Sequence, residues 1–146
     1  MKPGTKVFQD LRGWNFQMDE FTMFSFSKKG VFRGMHFQIP FQKKQIRVIE
    51  GAIIDFWVDL KDGIVQWKHL VPFGDALEIP AGYGHGFYAV KDSVVCYKVD
   101  VLRNPGKEFT FKLPPTNFHW SRVELILSER DRKAKTLQAI KKEAGI

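Results

Sequence analysis

Three side chains that need charge or hydrogen-bond partners interrupt the apolar run GVFRGMHFQIP, Gly30 to Pro40: Arg33, His36 and Gln38. An imidazole titrates near neutrality and is the commonest general base. An arginine on a strand that is otherwise core is costly to bury unless it meets an anion. With the Lys43–Lys44 pair that follows, these groups point to a strand face that lines a pocket for an anion. Among the other histidines, His85 lies in PAGYGHGF, where glycines bring the backbone close and leave room for a ligand. His69, in QWKHLV, reads as an outward or edge residue, and His119 has no obvious partner. The plainer alternatives are a satisfied core histidine for His36 and a solvated lysine for Lys44.

The pattern does not read as a metal centre. Barrels that hold a metal through histidines and a carboxylate place a second histidine two residues after the first. Here that position is Gln38, and no glutamate follows until Glu50, so two histidines and a glutamine would make a weak zinc or iron site. There is no glycine-rich phosphate loop, no CxxC pair and no serine nucleophile elbow. Cys96, in VVCYKV, reads as inert packing.

The elements that must position these groups are strands. VIEGAIIDFWVDL (Val48 to Leu60) reads as one long strand with a bend or bulge at Gly51. IVQWKHLV alternates cleanly, GFYAVKDSVVCYKVDV reads as two strands around Lys91-Asp92-Ser93, and EFTFKL is a further short strand. Eight to ten strands with short turns predict a sandwich or barrel. The tail from Ser128 is rich in Lys, Glu and Ala, with Leu137, Ile140 and Ala144 as a thin apolar stripe. It predicts one partly docked C-terminal helix. Ser128 and Asp131 fit a capping box there. The expected organisation is a barrel over residues 1–127 and a helix over 128–146 of the same domain.

At 146 residues, 44% hydrophobic and 27% charged, the composition is that of one globular domain. A net charge of +7 favours an anionic partner. A nucleic-acid partner is disfavoured because most of the 14 Phe residues sit in alternating strands. The single cysteine fits a reducing cytosol. No leader-like or membrane-spanning apolar run is evident, so the expected location is cytoplasmic, away from membranes.

The stretch GVFRGMHFQIPFQKKQIRVIEGAIIDFWVDL resembles the signature of the dTDP-4-dehydrorhamnose 3,5-epimerases. FQDLRGWNFQ, IPAGYGHGF, CYKVDVLRNPGKE and LSERD resemble further segments of that family, in order. The resemblance implies a cupin-like double-stranded β-helix, that is, a jelly-roll barrel, with a C-terminal helix. It implies a metal-free enzyme without cofactors, commonly a homodimer, in deoxysugar biosynthesis. Such enzymes enolise a nucleotide-diphosphate 4-keto-6-deoxy sugar and invert C3, C5 or both. It makes His36 the base, Asp131 its partner and Lys44 the support of the enolate oxygen. Arg12, Arg33, Gln38, His85 and Arg103 become substrate contacts. It places the family's proton-donating tyrosine at position 103, where this chain has arginine, a poor donor. The expectation is therefore enolisation with inversion restricted to one centre. A sugar-nucleotide 3,4-ketoisomerase and a non-catalytic sugar-nucleotide binder on the same fold are the alternatives.

Overall fold

The computed structural model describes residues 6–120 and 124–146. Among these residues, eleven strands build two antiparallel sheets. The first sheet has the order β1 (Lys6–Asp10), β2 (Gly13–Gln17), β3 (Thr22–Ser27), β10 (Ser93–Val99), β5 (Lys44–Glu50) and β8 (Leu77–Ile79). The second has β11 (Glu108–Thr110), β4 (Phe32–Gln38), β9 (Tyr83–Ala89), β6 (Ile53–Asp59) and β7 (Val65–Leu70). From β3 onward the chain repeatedly crosses between the sheets, so the architecture is a jelly-roll barrel.

The stretch expected to be one long strand from Val48 is in fact β5 and β6, on opposite sheets. Gly51, at φ +90°, makes the corner between them, a backbone conformation that a side chain disfavours. Alternation within β6 then sorts its residues to two cores. Ile53 packs between the sheets with Ile46, Val48, Ile79, Phe87 and Val95. Ile54, Phe56 and Val58 face the other way, onto an outer core with Phe32, Met35, Phe37, Tyr88 and Phe111. Phe118, Trp120, Leu125, Leu127 and Ile140 from the C-terminal segment cover that outer face. Covering both faces of the second sheet explains the heavy phenylalanine content.

The C-terminal segment holds two helical pieces. One is a single turn, α1 (Glu129–Arg132), and the other is the C-terminal helix proper, α2 (Leu137–Ala144). Thr136 caps α2 by accepting from the Ala139 N–H at 3.2 Å, and Gly145 closes it in the left-handed conformation. The break matters for the site, because it lets α1 lie against β4 independently of α2. No helix among the described residues is long and apolar enough to cross a membrane.

Candidate active site

Strict alternation along β4 would put Arg33 and His36 on opposite faces of the sheet. They share a face because β4 carries one extra residue between them. Arg33 pairs with Phe87 and His36 with His85, so three steps on β4 match two on β9. The bulge needs two glycines in contact across the strands. A Cβ on Gly34, at φ +130°, would lie 2.6 Å from the Gly86 Cα, and one on Gly86 would lie 2.7 Å from the Arg33 carbonyl oxygen. The glycines of the RG and HG dipeptides therefore serve packing and re-aim His36 inward.

The two sheets enclose a cavity of about 640 Å³. All eight residues named from the sequence line it: Arg12, Arg33, His36, Gln38, Lys44, His85, Arg103 and Asp131. His36 Nε2 is 2.8 Å from Asp131 Oδ1, and the Gly34 N–H donates to Oδ2 at 3.2 Å. The Asp131 side chain is 1% exposed, that of His36 36%. Burial pushes the Asp131 carboxyl up, but the His36 ring, the Gly34 N–H and Arg12 outweigh it and hold it below the usual range. An ionised carboxylate at Nε2 keeps the proton there and leaves Nδ1 as the basic atom. The helix cap is made separately, with the Asp131 N–H donating to Ser128 Oγ at 3.0 Å. Asp131 thus caps nothing with its carboxylate, which is free to hold His36.

Lys44, the first residue of β5, lines the cavity, while Lys43 before it is exposed. Burial lowers the Lys44 ammonium to about 8, against the opposing pull of Asp55 and Glu108. Arg33 is 9% exposed, and its only protein hydrogen bonds among the described residues go to Ser27 Oγ at 2.7 Å and the Phe26 carbonyl at 3.1 Å. Burial and the neighbouring Arg12 lower it to about 10. A buried guanidinium facing another cation is a site prepared for an anion. Arg12 meanwhile donates to both carboxylate oxygens of Asp10.

Gln38 has less freedom than a substrate contact needs. Its amide donates to the Pro40 and Leu102 carbonyls, at 3.1 and 3.0 Å, and accepts from the Asn104 N–H at 2.9 Å. It clamps the loop after β10. Arg103, on that loop, forms a two-point pair with Glu108 at the cavity rim, and Glu108 holds its guanidinium pKa above the usual value. Arg103 is therefore no proton donor.

The cavity has a phenol elsewhere. Tyr97 on β10 lines it, and burial raises its pKa, so it stays protonated at neutral pH. His36 stands on the second sheet and Tyr97 on the first, so the two groups approach a bound molecule from opposite walls. Sequence reasoning also missed Asp55. Its carboxylate is wholly buried, with Oδ2 at 2.7 Å from His85 Nε2 and Oδ1 without a partner among the described residues. The available signal was a lone acid on the inward phase of AIIDFWV.

The sequence profile of the dTDP-4-dehydrorhamnose 3,5-epimerase family matches residues 4–139. The dTDP-4-dehydrorhamnose 3,5-epimerase of Mycolicibacterium smegmatis is 37% identical, over 89% of this chain and 69% of that protein. The crystal structure of dTDP-4-dehydrorhamnose 3,5-epimerase from Sulfolobus tokodaii is 32% identical and superposes with a TM-score of 0.72, covering 91% of this chain and 87% of that one. That of dTDP-6-deoxy-D-glucose-3,5-epimerase from Legionella pneumophila, in complex with dTDP-4-keto-L-rhamnose, is 27% identical with a TM-score of 0.76, covering 97% and 89%.

Proposed function

The chain belongs to the dTDP-4-dehydrorhamnose 3,5-epimerase family, and from that premise we propose that it inverts both C3 and C5 of a nucleotide-diphosphate 4-keto-6-deoxy sugar. The observation that carries this reading is the opposed placement of His36 and Tyr97 on the two walls of one cavity. The C4 ketone acidifies the C–H bonds at C3 and C5. His36 removes one such proton through Nδ1, the C–H electron pair forms the C=C bond, and the carbonyl pair moves onto oxygen as an enolate. Lys44 neutralises that oxygen. Tyr97 delivers its hydroxyl proton to the carbon from the other face, and the ketone re-forms. Solvent returns a proton to the phenolate, and His36 releases its own. Asp131 keeps the His36 proton on Nε2 and steadies the imidazolium. Arg33 and Arg12 suit the diphosphate. Arg103 shapes the rim and supplies no proton, and Tyr97 removes the reason to restrict inversion to one centre.

The working unit in this reading is a homodimer. β1 is an open sheet edge, and its hairpin exposes Val7, Phe8 and Leu11, the last at 85%. An apolar edge of this kind is stabilised by a second copy. Incubation of dTDP-4-keto-6-deoxyglucose in D₂O, followed by NMR of both carbons, tests the activity. Deuterium entry with inversion at C3 and C5 is expected. Exchange at neither carbon would refute it.

A further inference from the structure

His36 has a second histidine beside it. His85 is its register partner across β4 and β9, so the two rings share one face of the sheet, and both line the cavity. Each ring is held through Nε2 by a carboxyl group, His36 by Asp131 at 2.8 Å and His85 by Asp55 at 2.7 Å. The two carboxyl groups are satisfied differently. Asp131 has an N–H for each oxygen, from the His36 ring and from the Gly34 backbone, as an ionised carboxylate requires. Asp55 is 0% exposed, its Oδ1 has no partner, and no lysine or arginine among the described residues forms an ion pair with it. A carboxylate buried with one bare oxygen is costly. A carboxylic acid there needs one acceptor for its proton, and His85 Nε2 is in place to accept it. Burial acts on both groups in the same sense. It raises the Asp55 carboxyl against the pull of His85 and Lys44, and it lowers the His85 imidazolium against the pull of Asp55, with Lys44 and His36 adding to the lowering.

We propose that the Asp55–His85 pair is neutral and opposite in tautomer to the Asp131–His36 pair: the Asp55 O–H donates to His85 Nε2, and the ring presents Nδ1–H to the cavity as a hydrogen-bond donor for the enolate oxygen. A neutral imidazole carries one proton, so an acid at Nε2 leaves that proton on Nδ1. The ring beside it, with an ionised carboxylate at Nε2, has a lone pair at Nδ1 instead. One wall of the cavity thus offers a base and a donor side by side. Enolisation needs both at neighbouring atoms, because the carbon that loses its proton is bonded to the carbonyl carbon. His85 keeps its proton throughout, and it shares with Lys44 the charge that builds on the oxygen. In these terms His85 is a catalytic residue and Asp55 the residue that positions its proton, a buried acid kept neutral so that it can donate.

The role in catalysis rests on the epimerase reading and the tautomer does not, so the test reads them separately. Long-range ¹H–¹⁵N correlation NMR of the histidine-labelled protein distinguishes a protonated from a bare ring nitrogen without substrate, with His36→Gln and His85→Gln assigning the rings. His85 should carry its proton on Nδ1 and His36 on Nε2. Asp55→Ala frees the His85 tautomer and should lower kcat by ~10²–10³, the size of a lost oxyanion donor, with KM little changed. Asp55→Asn should restore the Nδ1–H tautomer and return kcat to within about tenfold of wild type, because its amide N–H donates to Nε2 as the acid does. The same exchange at Asp131 has the opposite effect, because His36 needs an anion at Nε2. The wild-type spectrum decides the tautomer even where a variant does not fold. A proton on His85 Nε2 in the wild type, or an Asp55→Asn protein as impaired as Asp55→Ala, overturns the proposal. Opposed tautomers in a protein that turns over no 4-keto sugar would support the neutral pair and refute the epimerase reading instead.

Discussion

Replacing Tyr97 by phenylalanine isolates the proposed proton donor. The ring packs against the core between the sheets, and Tyr97→Phe keeps that ring. The lost hydroxyl has no protein hydrogen-bond partner among the described residues, so folding stability should change little. His36, Asp131 and Lys44 keep their positions, and proton abstraction should persist. Loss of a general acid typically costs ~10²–10⁴ in rate. The cavity is open enough to leave the His36 side chain 36% exposed, so water can reach the enolate and deliver a proton slowly. That places the expected loss of inversion at ~10²–10³, or about 3–4 kcal/mol in the barrier. The assay is single-turnover NMR in D₂O, which separates deuterium entry with retention from entry with inversion at each carbon. Exchange with retention should continue near the wild-type rate while inversion falls at both centres. Inversion within about threefold of wild type, well short of a lost general acid, would refute the assignment. Should Arg103→Leu then abolish inversion, the donor function would belong to the loop after β10 and not to Tyr97.

Asp131→Asn should lower kcat by ~10³–10⁴ because an amide no longer fixes the His36 tautomer, as steady-state kinetics would show. The folded pKa of Asp131 is depressed, so the stability it contributes is present above the ordinary carboxyl range and is lost as pH falls through the folded value. Urea titrations of wild type and Asp131→Asn should therefore differ at neutral pH and converge in acid. Gly34→Ala places a methyl 2.6 Å from the Gly86 Cα at a backbone angle of +130°. It should cost about 3 kcal/mol or more, seen as a lower urea midpoint, and wild-type stability would show that the bulge can relax.

Much of the site is legible in the chain itself. His36, Arg33 and Lys44 stand out because charged groups in an apolar alternating strand need a reason, and the short interval between glycine, histidine and glycine at Gly84 to Gly86 repeats the theme. Asp131 is named by its family segment. Strand content and the terminal helix follow from hydrophobic period, which is a local property. What only tertiary structure decides is which groups meet. Asp131 reaches His36 across 95 positions and Asp55 reaches His85 across 30, and no local pattern encodes such pairings. The bulge in β4 inverts the expected facing of His36 relative to Arg33, because register depends on the partner strand and on two glycines meeting across it. The same reason explains Tyr97 and Arg103. The chain presents both as residues of one strand and its following loop, but the side of β10 that faces the cavity carries the phenol, while the loop after it ties the guanidinium to Glu108 at the rim.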